Sequence, residues 1–169
     1  MKRIQSVLLP LFLFFSGCAS YEVVSVLPDY IKNIHIRTFV NQTVFYGIEQ
    51  KLNQELINRF MNEGRLGVTD SDHSDAVLEG EIIQYRVEPL RYDANEVVQE
   101  YKLSIDIDFT FKGKDGQILY QEKALHYDLH YFPQGSSIAG VEIETENLAQ
   151  ERLVKEMSDE IVELIVRWK

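Results

Sequence analysis

Tyr101-Lys102-Leu103-Ser104-Ile105-Asp106-Ile107-Asp108-Phe109-Thr110-Phe111 alternates large apolar and polar side chains without a break. A strand turns successive side chains to opposite faces, so this period of two describes a strand with one buried face and one wet face. Lys114-Asp115-Gly116 follows, and glycine there accepts the left-handed backbone that closes a three-residue hairpin loop. In the register that loop implies, Leu125, Tyr127 and Leu129 stand opposite Ile105, Leu103 and Tyr101 on the buried face. On the wet face Lys102 meets Asp128, and Glu100 meets His130. The same register sets Asp108 against Glu122 and turns Lys123 inward, two conflicts that a bulge near residues 121 to 123 would relieve.

Working outward, Ala76 to Val87 reads as a third strand, whose Gly80 invites a bulge or a close neighbour. Leu66 and Val68 make a short second strand, followed by a polar loop from Asp70 to Asp75. Asn33 to Val40 is a first strand, with Ile34 and Ile36 on one face and His35 and Arg37 on the other. Ile48, Leu52, Leu56 and Phe60 recur at helical spacing, widened by Ile57 and Met61, which predicts a helix from about Tyr46 to Glu63. Gly64 stands where a left-handed cap ends it. Beyond a connector from Pro133 to Gly140, the residues Leu148, Met157, Ile161, Leu164, Ile165 and Trp168 form a second helical stripe. Glu144, Glu146 and Glu151 lie near its start, where carboxylates complement the positive end of a helix. The order of elements predicts an α+β fold, a two-layer sandwich with two helices on one face of a mixed four- to five-stranded sheet.

The amino terminus belongs to something else. Met1-Lys2-Arg3 is positively charged, and Val7 to Phe15 is an apolar run interrupted only by Pro10, the layout of a secretory signal and too short for a membrane-spanning helix. Phe15-Ser16-Gly17-Cys18 then resembles a bacterial lipobox, with cleavage before Cys18 and lipid attached to it. Cys18 is the single cysteine of the chain, so a disulfide framework is excluded. Two or three acyl chains, at about 0.8 kcal/mol per buried CH₂, would hold the protein durably on a bilayer. Ala19 stands where an aspartate would retain many lipoproteins in the inner membrane, so the resemblance to lipoproteins implies the periplasmic side of the outer membrane. The expected organisation is a signal peptide at 1–17, a lipidated lead at 18–30 and one domain at 31–169.

Composition narrows the function. The precursor carries 17 Lys+Arg against 27 Asp+Glu, and losing Lys2 and Arg3 leaves 15 against 27. With no basic stretch to displace counterions from a phosphate backbone, nucleic acid is a poor partner. His126, Asp128 and His130 share a strand face, yet at ~3.3 Å per residue the two histidines sit ~13 Å apart, while zinc ligands must lie within ~2.1 Å of one ion. A polar, solvent-facing strand accounts for them, and no metal or other cofactor is called for. Asp106 and Asp108 fall on the same wet face and are not arranged for acid–base work. Gly135-Ser136-Ser137-Ile138-Ala139-Gly140 lacks the spacing of a nucleophile elbow, and no phosphate loop or dinucleotide fingerprint is present. The expectation is a protein that is not an enzyme. Arg86 and Arg91, flanking Val87-Glu88-Pro89-Leu90, are the one local concentration of arginine and can hold phosphate bidentately; they also serve to offset Glu88, Asp93 and Glu96.

After the lipobox come Ile34-x-Ile36-x-x-Phe39-x-Asn41-x-Thr43, then Glu49, Leu52, Leu56 and Phe60, then Asp75-Ala76-Val77-Leu78-x-Gly80-x-Ile82-x-x-Tyr85. With Pro89-Leu90-x-Tyr92, Tyr101-x-Leu103 and the terminal helix, this pattern resembles the LPS-assembly lipoprotein family LptE over nearly all of the chain beyond Cys18. The resemblance implies a non-enzymatic subunit that plugs an LptD-like barrel and assists lipopolysaccharide transport, with Arg86 and Arg91 nearest by position to a basic lipopolysaccharide contact. The strong net acidity is a departure from a general lipid-binding surface. Periplasmic activators of penicillin-binding proteins and curli-secretion proteins share parts of the pattern. The alternative is therefore a tethered lipoprotein that binds and activates a cell-envelope enzyme or secretion complex.

Overall fold

A computed structural model describes residues 27–167. In chain order these form β1 (Asn33–Ile36), β2 (Val40–Asn41), α1 (Ile48–Glu63), β3 (Gly67–Val68), β4 (Ala76–Tyr92), β5 (Val98–Gly113), β6 (Ile118–Tyr131) and α2 (Glu146–Arg167). The sheet runs β3-β1-β4-β5-β6, with β2 also pairing β4, so six strands share one sheet. β1 is parallel to β3 and β4, while β4, β5 and β6 are antiparallel. The mixed sheet and the two helices bear out the α+β expectation.

The alternating faces separate as the sequence requires. Leu103, Ile105, Ile107, Phe109 and Phe111 of β5 are buried with Leu78, Ile82 and Tyr85 of β4 and with Ile48, Leu52, Leu56 and Phe60 of α1. Leu153, Met157, Ile161 and Ile165 of α2 complete one continuous core. The helices run side by side in the same direction. Lys51 near the start of α1 reaches Asn147 and Gln150 near the start of α2, and Arg65 just past α1 reaches the Val166 carbonyl near the end of α2. Gly64 caps α1 in the left-handed region at φ 81° and donates its N–H to the Phe60 carbonyl. Two side chains assigned to the apolar stripes lie outside the core: Met61 is 66% exposed and Leu148 50%. Met61 follows Phe60 by one residue, and 100° of rotation carries it off the buried face. The stripe residue Trp168 and the cysteine Cys18 lie outside the described residues.

Two strands differ in extent from the periodicity. The first strand ends at Ile36 and resumes as β2, because Phe39 turns into the core. It packs over Gly80, where an added Cβ would meet the Phe39 ring and the Asp108 carbonyl at 2.4 Å each. Gly80 is thus a site of close approach, one of the two roles expected of it. β4 runs on past Val87 to Tyr92, through Pro89. Its pairing with β1 and β2 stops at Ile82, so from there one edge is unpaired and a residue without an N–H is tolerated.

The β5–β6 register also departs from the simple hairpin. Leu125, Tyr127, Leu129 and Tyr131 pair with Ile107, Ile105, Leu103 and Tyr101, two residues on from the expected alignment. Two irregularities accumulate this offset, one beside Lys112 and Phe111 and one between Ile107 and Phe109. At the second, Ala124 takes φ 52° and its N–H donates to Asp108 Oδ1 at 2.7 Å. Lys123 is therefore exposed and not turned inward. From Leu125 onward the offset is even, so faces are unchanged and apolar meets apolar; between the two irregularities it is a single residue, which sets Tyr120 and Glu122 opposite Phe111 and Phe109 on the buried face.

Candidate functional site: the hairpin end and the charged sheet face

Beyond Tyr85, β4 and β5 continue past the starts of the helices and end in a turn built by Asp93, whose Oδ1 accepts the N–H groups of Asn95 and Val97. Glu96 adopts φ 62° in this turn. Arg86 and Arg91 sit on the polar face of this projecting ribbon, opposite Ser104 and Glu100. Those partners are four residues apart on β5, which separates the two arginines by ~13 Å along the strand. The expected arginine pair therefore shares a face without converging on one anion. Arg91 is held 3.2 Å from Glu100, whose carboxylate also takes His130 Nδ1 at 2.9 Å. Arg86 bonds Gln84 Oε1 at 2.8 Å and lies 4.0 Å from Glu88. Both guanidinium groups are about half exposed, and each offers further N–H donors to an outside anion.

Around the same end, Leu90, Tyr92 and Val97 are exposed. Leu90 and Tyr92 enter the sequence reading only within the family pattern, and Val97 not at all, since alternation there is broken by Pro89 and by the irregular pairing at Arg91. Their legible signal is that apolar residues occupy a predicted strand end with no helix left to cover them. A ribbon tip with separated arginines and bare apolar side chains suits an amphipathic anion better than a small metabolite.

The rest of the polar face is a ladder of paired charges. His126 bridges Asp106 and Asp128 at 2.5 and 3.2 Å, and Lys102 lies 3.7 Å from Asp128. The pairs Lys102–Asp128 and Glu100–His130 were expected directly across the strands; they form as diagonals because of the two-residue offset. Among the described residues no group of three His, Cys, Asp or Glu side chains is placed to hold a metal ion. Asp108 is spent on the bulge, and Ser137 donates through both N–H and hydroxyl to Gln99 Oε1, an amide that cannot act as a base.

Perturbed acidities fall on structural groups. Burial and the Glu146 carboxylate raise the Tyr85 phenol, which donates to Glu146 Oε1 at 2.6 Å and accepts from Gln150, tying the start of α2 to β4. Burial pushes Tyr131 up to about 12. Asp75 is held below the usual carboxylate range by the backbone N–H groups of Lys32 and Asn33, at 3.0 and 2.9 Å. None of these lies in a cleft beside a nucleophile.

The profile of the lipopolysaccharide-assembly family LptE matches residues 31–167. The chain belongs to the LptE family. That family is non-enzymatic, in keeping with the structural roles of the carboxylates, serines and histidines above. No curated protein sequence matches the chain significantly. Among solved structures, a protein from Caulobacter crescentus CB15 is 14% identical with a TM-score of 0.53, covering 79% of this chain and 88% of its own. A minor lipoprotein from Acinetobacter baumannii is 12% identical with a TM-score of 0.52, covering 80% and 93%. PelC from Paraburkholderia phytofirmans is 9% identical with a TM-score of 0.52, covering 81% and 89%. At these identities the likeness is one of fold. Among the described residues, no helix of this LptE-family chain is long and apolar enough to cross a membrane.

Proposed function

We propose that this LptE-family protein is cut before Cys18, lipidated there, and held on the periplasmic side of the outer membrane, where it plugs an LptD-like β-barrel and assists barrel assembly and lipopolysaccharide transport. The observation that carries this reading is the LptE family match across residues 31–167. The division into signal peptide (1–17), lipidated lead (18–30) and a single domain (31–169) belongs to the same proposal. The fold supports a plug physically. Helices cover one sheet face and paired charges cover the other, so the domain can fill a wide lumen as a rigid body with its own core satisfied. Arg86 and Arg91, beside the apolar tip, are the proposed contact for the phosphates and acyl chains of lipopolysaccharide.

A pull-down of the full chain from outer membranes in mild detergent tests the partner. An LptD-like barrel recovered in near-equal amount supports the reading; recovery of a cell-wall synthase in its place overturns it in favour of a tethered activator. For the site, R86A/R91A is expected to weaken binding of purified lipopolysaccharide by about tenfold, since two charge-assisted contacts are lost, while barrel recovery is retained. Unchanged lipopolysaccharide binding would remove the arginines from the proposal.

A further inference from the structure

β6 closes the sheet, and among the described residues no strand pairs with its outer edge. α2 runs antiparallel along that edge. Arg152 near the start of α2 donates to the His130 carbonyl near the end of β6, and Leu164 near the end of α2 faces Tyr120 near the start of β6. Between them lies an open groove of about 670 Å³, whose walls include Tyr120, Leu164, Glu156, Glu160 and Glu163. Glu163 is paired with Arg167 one turn on. Glu156 and Glu160 are exposed and have no ion pair within the described chain. Beside the groove, Tyr127 of β6 is 8% exposed, and burial together with the Glu160 carboxylate, toward which its hydroxyl is directed, holds the phenol in its neutral form.

An unpaired edge offers alternate backbone N–H and C=O groups to an incoming strand. The edge here is limited at both ends: the left-handed Ala124 bulge interrupts the ladder after Glu122, and Arg152 occupies the carbonyl of His130. We infer that the groove between α2 and the free edge of β6 receives an extended, basic polypeptide segment of a partner protein. The segment adds as a strand alongside Ile118–Glu122 and sets alternate lysine or arginine side chains among Glu122, Glu156 and Glu160. Charge complementarity selects this occupant. The helix-facing wall is acidic with an aromatic and an aliphatic side chain at its base, which suits the long apolar stem and charged head of lysine or arginine. The groove lies along the helices, away from the arginine tip, so its test is separate from that of the lipopolysaccharide contact.

The full chain in detergent micelles would be titrated with a fluorescent acetyl-(Lys-Val)₃-amide peptide, and the amides of Ile118–Glu122 followed by NMR and hydrogen exchange. Saturable binding is expected, with slowed exchange at these amides. E156Q/E160Q should weaken it by about tenfold, and methylating alternate backbone nitrogens of the peptide should weaken it by tenfold or more, since each blocked N–H removes a ladder bond. The glutamate counterpart of the peptide should not bind. Equal binding of the N-methylated peptide, or its displacement by spermine at matched charge, would reduce the groove to a diffuse acidic surface and overturn the proposal. So would protection appearing at β3 or at the hairpin tip, or self-association of the chain through β6.

Discussion

At the scale of single residues, the structure turns on a few close approaches. Gly80 is one, because the Phe39 ring and the Asp108 carbonyl leave no space for a side chain. Gly80→Ala is expected to destabilise the domain by about 1–3 kcal/mol through overpacking, read as a lower urea midpoint at unchanged slope. The buried phenols set an alkaline limit. Tyr131 is raised to about 12, and Tyr85 and Tyr127 are raised as well. A folded-state value above the unfolded one, which is about 10 for tyrosine, contributes stability below pH 10 that is lost as pH rises through the folded value. Unfolding monitored between pH 9 and 12 should therefore show a steep fall above about pH 10, coincident with phenolate absorbance; a flat profile would contradict the burial of these hydroxyls. The arginines also belong here. Arg86 and Arg91 were legible as residue types, but their shared face and the pairing of Arg91 with Glu100 were not, because both depend on the irregular pairing of β4 with β5.

At the scale of elements, α1 and β5 were readable nearly end to end. The helix is framed by Gly64 and by four apolar residues at helical spacing, and the strand by unbroken alternation. Gly64→Ala would place a side chain at φ 81° and should cost about 1 kcal/mol. β6 was harder, since a bulge is a local trade between register and side-chain pairing that periodicity alone does not date to one residue. The conflict of Asp108 with Glu122 signalled it, and the structure resolves it by giving Asp108 the N–H of Ala124. A non-glycine residue in the left-handed region is strained, so Ala124→Gly is expected to stabilise the domain by about 0.5–1 kcal/mol. Chemical denaturation checks it, and a loss of stability would mean that the bulge is not formed.

At the scale of the whole molecule, the sheet outruns its helices, leaving a projecting ribbon at one end and a free β6 edge along one side. One end carries arginines and apolar side chains, and the edge carries carboxylates, so an overall acidic chain presents two surfaces of different chemistry. Cys18→Ser is expected to move the protein from the membrane fraction to the soluble fraction, since in the proposed reading the acyl chains on that residue supply the membrane affinity. Membrane association that survives the substitution would sink the lipidation assignment.

The sequence by itself determined the class of fold and which face of α1, β5 and α2 is buried. Side-chain periodicity is set by backbone geometry, and the apolar residues of Tyr101–Phe111, α1 and α2 follow it. It also carried the family pattern, through Ile34 to Tyr85 and the Pro89 to Leu103 stretch. Only the tertiary structure decided the alignment of β6 on β5, the break at Phe39, the extension of β4 through Pro89 and the opening of a groove beside α2. Each of these depends on contacts between residues distant in the chain: Phe39 on Gly80, Asp108 on Ala124, Arg152 on His130, Tyr120 against Leu164. A period of two or of 3.6 specifies which way a side chain points but not which neighbour it meets, and that choice is made by packing the whole core at once.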